Sequence, residues 1–159
     1  MSAETIRVTF HTLTRGTITA DNGDVIGTGE YASQKKFGVG HAGSEWTVRT
    51  PAGEVAWTVT QRGRATSADR SYVVSDEGTE LGRYSIPHIH NGAGDVIARV
   101  KGSKVLEPDS DVQLASVGRK PLIKGRYKIS FATSTNETMR RMIVAVAYAS
   151  WRYSREQNV

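Results

Sequence analysis

Five basic side chains that lie close together in the chain are the strongest candidate for binding chemistry. Arg119, Lys120, Lys124, Arg126 and Lys128 follow one another with no acidic residue between them. Clustered guanidinium and ammonium groups attract phosphate on a lipid headgroup or on nucleic acid. A solvated strand and turn that keeps the protein soluble is the alternative interpretation, and charge patterning by itself favours it. We predict an anion-binding site at these residues and weigh it against that inert surface.

A second pattern with chemical potential is a pair of histidines followed by a carboxylate. His88 and His90 lie two apart, so on a strand both imidazoles point to one side and can share a metal ion with Asp95 across a hairpin. The spacing from Gly82 to Gly102 around them resembles the first cupin motif, with Asp where Glu is usual. No histidine follows His90 to supply the second cupin motif. A cupin-like metal-dependent enzyme is therefore the alternative, and the main prediction includes no metal and no cofactor.

Composition excludes several classes of protein. The chain has 159 residues and no cysteine, which removes disulfides, thiolate catalysis, zinc fingers and iron–sulfur clusters. It contains neither a Gly-x-Ser-x-Gly elbow nor a phosphate-binding Gly-Lys-Ser/Thr sequence. These observations argue against an enzyme. The N-terminal residues lack a basic stretch followed by an apolar block, so we expect a cytoplasmic protein, either free or peripherally bound to a membrane.

Charge is distributed unevenly between the two halves of the sequence. Residues 1–80 contain eight Lys and Arg against ten Asp and Glu, whereas residues 81–159 contain thirteen against six. The formal net charge of +5 therefore arises entirely in the second half. A nucleic-acid-binding β-barrel that uses this half is a further alternative, although no RNA-recognition signature is present.

Short alternating runs broken by glycine-containing turns dominate the chain from residue 4 to residue 132. Ile6, Val8 and Phe10 alternate with polar residues, and Tyr127, Ile129 and Phe131 do the same near the end of this region. Such alternation predicts antiparallel strands with one face toward a core. Turn sequences such as Asp21-Asn22-Gly23-Asp24 and Pro51-Ala52-Gly53-Glu54 predict hairpins. About 11–12 strands are expected.

The last part of the chain predicts a different element. Ser134 and Glu137 have the spacing of a capping box, so a helix is expected over about 135–157. Residues 142–151 are apolar on every face of such a helix, which means that protein must surround it. These residues are too few to cross a bilayer. Small side chains, including Ala145 and Ala147, keep the helix thin enough for a curved sheet to enclose it.

A mainly β chain of this kind, with one wholly apolar C-terminal helix, resembles the tubby C-terminal-like superfamily, which includes phospholipid scramblase and LURP-one-related proteins. The resemblance rests on the strand 127–131, the link 132–136 and the helix 137–155, and it covers nearly the whole chain. It implies a closed or nearly closed antiparallel barrel that encloses the helix, formed by residues 1–159 as a single domain. Tubby proteins bind phosphoinositides, so the resemblance also implies lipid binding.

These observations lead to one functional prediction with two alternatives. We predict a non-enzymatic binding module for anionic phospholipid headgroups, such as those of phosphoinositides, or for a protein partner, with Arg119, Lys120, Lys124, Arg126 and Lys128 as the binding residues. The cupin-like enzyme at His88, His90 and Asp95 is the first alternative, and nucleic-acid binding is the second.

Overall fold

A computed structural model describes residues 5–11, 15–32, 45–62, 71–119, 126–133 and 135–157. Within them lie twelve strands and one helix, numbered in chain order. The strands are β1 (Thr5–Phe10), β2 (Arg15–Ala20), β3 (Val25–Ala32), β4 (Glu45–Arg49), β5 (Val55–Arg62), β6 (Ser71–Asp76), β7 (Thr79–Ser85), β8 (His88–Asn91), β9 (Val96–Lys101), β10 (Lys104–Leu106), β11 (Gln113–Arg119) and β12 (Arg126–Phe131). The helix α1 spans Glu137–Gln157.

The twelve strands form one closed antiparallel barrel in which each strand pairs with its neighbours in sequence. β1 and β12 close the sheet, with Thr5 opposite Ser130 and Ile6 opposite Ile129. The prediction of a mainly β, closed barrel of about 11–12 strands is confirmed. Because every connected pair is antiparallel, successive turns alternate between the two ends of the barrel.

Alternation along the strands places apolar side chains in the interior. In β1, Ile6, Val8 and Phe10 are buried while the residues between them are partly exposed. In β12, Tyr127 and Ile129 are buried and the cations beside them are exposed. The inner faces and the helix form one hydrophobic cluster. A one-residue slip of either strand would turn its apolar residues toward water, so this pattern fixes the register.

The helix is enclosed by the barrel. The six consecutive residues 142–147 are only 0–6% exposed, so no face of this stretch meets solvent. Gly82 on β7 allows the helix to approach closely, because a Cβ atom there would collide with the His90 carbonyl and lie 2.6 Å from Met142 Cε. The enclosed, apolar C-terminal helix is as predicted.

The start of the helix differs from the prediction in its cap. Asn136 is the N-cap residue, since its Oδ1 accepts a hydrogen bond from the Met139 backbone N–H at 2.8 Å. Glu137 is the first residue of the helix, and Ser134, the other residue of the predicted capping box, lies outside the described residues. Thr135 ties the preceding link to the barrel by donating from its buried hydroxyl to the Leu114 carbonyl at 2.9 Å.

Three hairpin turns share one hydrogen-bond pattern. In the β2–β3, β4–β5 and β8–β9 turns, the residue before the turn donates to the carbonyl four positions ahead and accepts from a glycine three positions ahead. These glycines, Gly23, Gly53 and Gly94, have φ near +90°. Glycine adopts this conformation at little cost because it has no Cβ, so the glycine-containing turn sequences correspond to one recurring turn geometry.

Candidate functional site

Only two of the five predicted anion-binding side chains lie where the structure describes them. Arg126 and Lys128 are exposed on the outer face of β12, opposite the buried Tyr127 and Ile129, as the alternation predicts. Lys120 and Lys124 lie outside the described residues. Arg119 ends β11 with its backbone opposite Tyr127, and its side chain also lies outside the described part.

The register around Lys128 defines a polar outer wall. Lys128 pairs with Arg7 of β1 on one side and with Gly118 of β11 on the other. Gly118 is exposed and leaves open space beside the lysine, since the nearest atom to a Cβ there would be the Lys128 carbonyl oxygen at 3.8 Å. One strand further, Ser116 pairs with both Ser130 and Lys104. The wall is thus made of cations, hydroxyls and a glycine.

The structure adds two cations that sequence reasoning missed. Lys101 and Lys104 face each other across the two-residue turn between β9 and β10, and both are exposed. They line a groove of about 510 Å³ together with Ser103, Asp111 and Gln113. Gly102 within the turn has φ +59°, as the first central residue of a tight hairpin requires. Two lysines flanking Gly102-Ser103 were the available signal, but fourteen residues lie between Lys104 and Arg119, where the basic run begins.

Strand spacing shows that the four described cations form one surface. Lys104 and Lys128 are two strands and two residues apart, a separation of about 12 Å between their Cα atoms on a sheet of ordinary dimensions. Flexible lysine side chains therefore reach toward the same region above Ser116 and Gly118. We call Lys101, Lys104, Arg126 and Lys128 the cationic face.

Several basic side chains elsewhere in the described structure pair with carboxylates, although Arg49 and Arg62 do not. Arg7 pairs with Asp21 at 3.4 Å, Arg99 with Asp111 at 2.7 Å and Arg141 with Asp76 at 3.1 Å. Among the residues that the structure describes, none of the four cations of the cationic face has a carboxylate within ion-pair distance. No described carboxylate neutralises their charge, which is therefore available to an external anion.

The metal-binding alternative does not assemble. His88 and His90 both lie on β8 with ring centroids 6.4 Å apart, but His90 Nδ1 lies 3.2 Å from the Gly94 carbonyl. A register shift after Ile89 sets His90 opposite Val96, which leaves Asp95 in the turn beyond the strand pair. Within the described ranges, no group of three or more His, Cys, Asp or Glu side chains is placed to hold a metal ion. The triad of His88, His90 and Asp95 is therefore not formed.

Two of the three tryptophans, which could otherwise serve as stacking platforms for bases, lie in the interior. Trp46 and Trp57 are buried in the core cluster, and Trp46 contacts the rings of Tyr31 and Tyr72. The side chain of Trp151 lies outside the described part of the structure. Among the described residues, no aromatic side chain is largely exposed beside the cationic face. The described part of this face therefore offers no stacking platform of the kind that single-stranded nucleic-acid binding uses.

Charge is also segregated along the barrel axis. At one end lie the five turns 21–24, 51–54, 77–78, 92–95 and 107–112, which contain eight carboxylates and no Lys or Arg. We call this the acidic end. Helix α1 begins there, where Arg141 pairs with Asp76.

The opposite end, which we call the basic end, has cations at the ends of its strands: Arg15, Arg62, Lys101, Lys104 and Arg126. Glu30 and Glu45 are the described carboxylates nearest to this end, and Glu30 lies 4.0 Å from Arg15. Among the described residues, charge is therefore separated mainly from one end of the barrel to the other, with Asp111 the carboxylate that also lines the groove beside Lys101 and Lys104. This separation is not simply the difference between the two halves of the sequence.

Two comparisons with known proteins concern the sequence, and neither a family model nor a curated protein matches it. In the described part of the chain, the helix lacks the apolar length that spanning a bilayer would need. Among solved structures, a protein from Arabidopsis thaliana is similar, with a TM-score of 0.62 and 16% sequence identity over 93% of each chain. At this identity the similarity shows the fold alone: this chain shares its barrel architecture with the plant protein.

Proposed function

We propose that this protein is a non-enzymatic member of the tubby C-terminal-like superfamily that binds anionic phospholipid membranes through its cationic face. The observation that carries the proposal is the lack of carboxylate partners for Lys101, Lys104, Arg126 and Lys128 among the described residues. The closed barrel around its C-terminal helix supports the superfamily assignment. Arg119, which ends β11, and Lys120 and Lys124, which lie in the chain between β11 and β12, belong to the proposal through their position in the sequence.

A membrane fits this surface better than a small-molecule site does. The four cations are spread over a convex barrel wall, and the groove beside Lys101 and Lys104 is open, with polar residues and Leu106 along it. Convex basic surfaces suit many headgroups spaced over a plane, each neutralising one or two charges. A single enclosed ligand would instead require a concave and mostly apolar pocket.

The proposal predicts binding that is modest and sensitive to salt. A basic residue close to an anionic membrane contributes about 1 kcal/mol, and the attraction decays over about 10 Å at 0.1 M ionic strength. Reversing Lys101 and Lys104 to Glu should therefore weaken binding to vesicles of phosphatidylcholine and phosphatidylserine by at least about tenfold. Vesicles of phosphatidylcholine alone should bind neither protein.

A matched control separates local from overall charge. Arg49→Glu/Arg83→Glu changes the net charge by the same amount at two cations outside the cationic face, and it should retain most of the binding. Sedimentation with vesicles at low salt, beside titration with short oligonucleotides, provides the measurement. Equal loss in both double variants, no vesicle binding by the unaltered protein, or tighter binding to the oligonucleotides would each overturn the proposal.

A further inference from the structure

The basic end carries an exposed apolar side chain at a tight turn. Ile86 is 54% exposed in the two-residue turn between β7 and β8. The other large apolar residues that the described structure exposes to a similar extent are all at the acidic end: Val25, Val55, Val96 and Val112. Three of these valines are the first residues of strands that follow the acidic turns. Ile86 is therefore the large exposed apolar side chain on the cation-rich side of the described barrel.

The turn that carries Ile86 is attached to the lysine pair. The Pro87 carbonyl accepts a hydrogen bond of 2.8 Å from the Val100 backbone N–H. Lys101 follows Val100 directly, and Lys104 is its register partner across the next turn. The exposed isoleucine and the two lysines thus lie on neighbouring turns along one rim of the barrel.

We infer that this rim inserts into the surface of an anionic bilayer, with the Ile86 side chain among the upper acyl segments and the Lys101 and Lys104 ammonium groups at the phosphates. The inference rests on the proposed function and adds its orientation. An apolar tip flanked by lysines matches both layers of a membrane surface, since lysine stems lie along apolar material while their charges stay in the headgroup region.

The acidic end cannot take this role. Its exposed valines are surrounded by the carboxylates of the acidic turns, which an anionic membrane repels. The barrel therefore stands on the bilayer by its basic end, with the acidic end and the start of helix α1 directed away from the membrane.

Ile86→Ser and Val55→Ser provide a matched pair of tests, because each removes an exposed branched side chain at opposite ends. We expect Ile86→Ser to bind vesicles of phosphatidylcholine and phosphatidylserine about tenfold more weakly, whereas Val55→Ser should bind as the unaltered protein does. Thermal melting should show that both variants are folded. Equal binding by Ile86→Ser and the unaltered protein would overturn the insertion of Ile86.

Fluorophore labelling tests the orientation independently of those variants. Because the chain contains no cysteine, Ser103→Cys and Asn22→Cys each introduce one labelling site, at the basic and the acidic end respectively. A polarity-sensitive label should shift to the blue on these vesicles at residue 103 and not at residue 22. Shifts of equal size would overturn the end-on orientation while leaving membrane binding in place. Failure of the unaltered protein to bind at all would remove the proposed function as well.

Discussion

The two ends of the barrel differ in the types of residue that form them. At the acidic end, short turns are held by backbone and side-chain hydrogen bonds, such as those that Asn91 Oδ1 accepts from the Ala93 and Asp95 backbone N–H groups. At the basic end, Lys101 and Lys104 lie in the open without described carboxylate partners, beside the exposed Ile86. Asp and Asn favour tight turns because they hydrogen-bond to nearby backbone. The negative charge of the acidic end is therefore partly a consequence of turn formation, whereas the unneutralised cations have no such structural explanation.

The largest effect is expected from a charge introduced into helix α1, inside the barrel between its two ends. Ala147 is buried within helix α1, so Ala147→Arg should destabilise the fold by about 3–5 kcal/mol because it buries a cation in an apolar interior. That loss approaches the whole stability of a typical domain. Chemical denaturation followed by circular dichroism provides the measurement.

Ala93→Arg is the control for the charge introduced at Ala147, since Ala93 is exposed in a turn at the acidic end. It should leave the free energy of unfolding unchanged within about 0.5 kcal/mol. A cooperatively folded Ala147→Arg protein with unchanged stability would contradict the enclosure of the helix by the barrel.

A smaller effect on stability is expected from glycine substitutions, which should cost more in an acidic turn than on a strand of the cationic wall. Gly53 at the acidic end has φ +89°, so Gly53→Ala should cost about 1–2 kcal/mol through backbone strain alone, since nothing lies within 4 Å of the added Cβ. Gly118 on the cationic wall has no positive φ and has room for a methyl group. Gly118→Ala should therefore be neutral or slightly stabilising. Equal melting temperatures for the two variants would show that the acidic turns do not depend on their glycines.

The smallest effect concerns whether charge alone distinguishes the ends in binding. Asp24→Lys/Glu54→Lys places two lysines beside the exposed Val25 and Val55, which imitates the basic end. Binding to the anionic vesicles should rise by a few fold at low salt, because each cation adds a modest attraction. A label at residue 22 should then report contact with the membrane. Unchanged binding and an unshifted label would mean that the basic end has a feature beyond charge and one apolar side chain.

Local sequence patterns predicted the fold well because the alternation within each strand shows which of its two faces is buried. The alternation in β12 identified Tyr127 and Ile129 as interior and Lys128 as exterior, and the structure agrees. The uniformly apolar stretch starting at Met142 predicted an enclosed helix for the same reason. The cap is less well predicted, because Asn136, which accepts from the Met139 backbone N–H, and Ser134, which lies outside the described residues, both suit that role.

The candidate site was predicted only in part because it depends on register between strands. Nothing in the sequence near Lys128 indicates Lys101 or Lys104, which reach the same wall through the pairing of β10, β11 and β12. The polarity of the barrel was likewise hidden. Carboxylates from five separate turns meet at one end only after antiparallel pairing brings every second turn together. The metal triad of the alternative interpretation does not form, because Val96 lies opposite His90 and Asp95 lies in the turn beyond it.

Closure of the sheet by its first and last strands determines when this protein can fold during its synthesis. β1 and β12, which place Thr5 opposite Ser130, can pair only after β12 has been synthesised. Helix α1, which fills the interior, follows β12 in the chain. A ribosome-bound chain that ends before Arg126 therefore has two open strand edges and an unfilled interior. Such edges readily pair with other chains. Contacts of this sequence separation also form slowly. We expect the nascent protein to depend on chaperones until its last segment is released, and to gain resistance to proteolysis in a single late step.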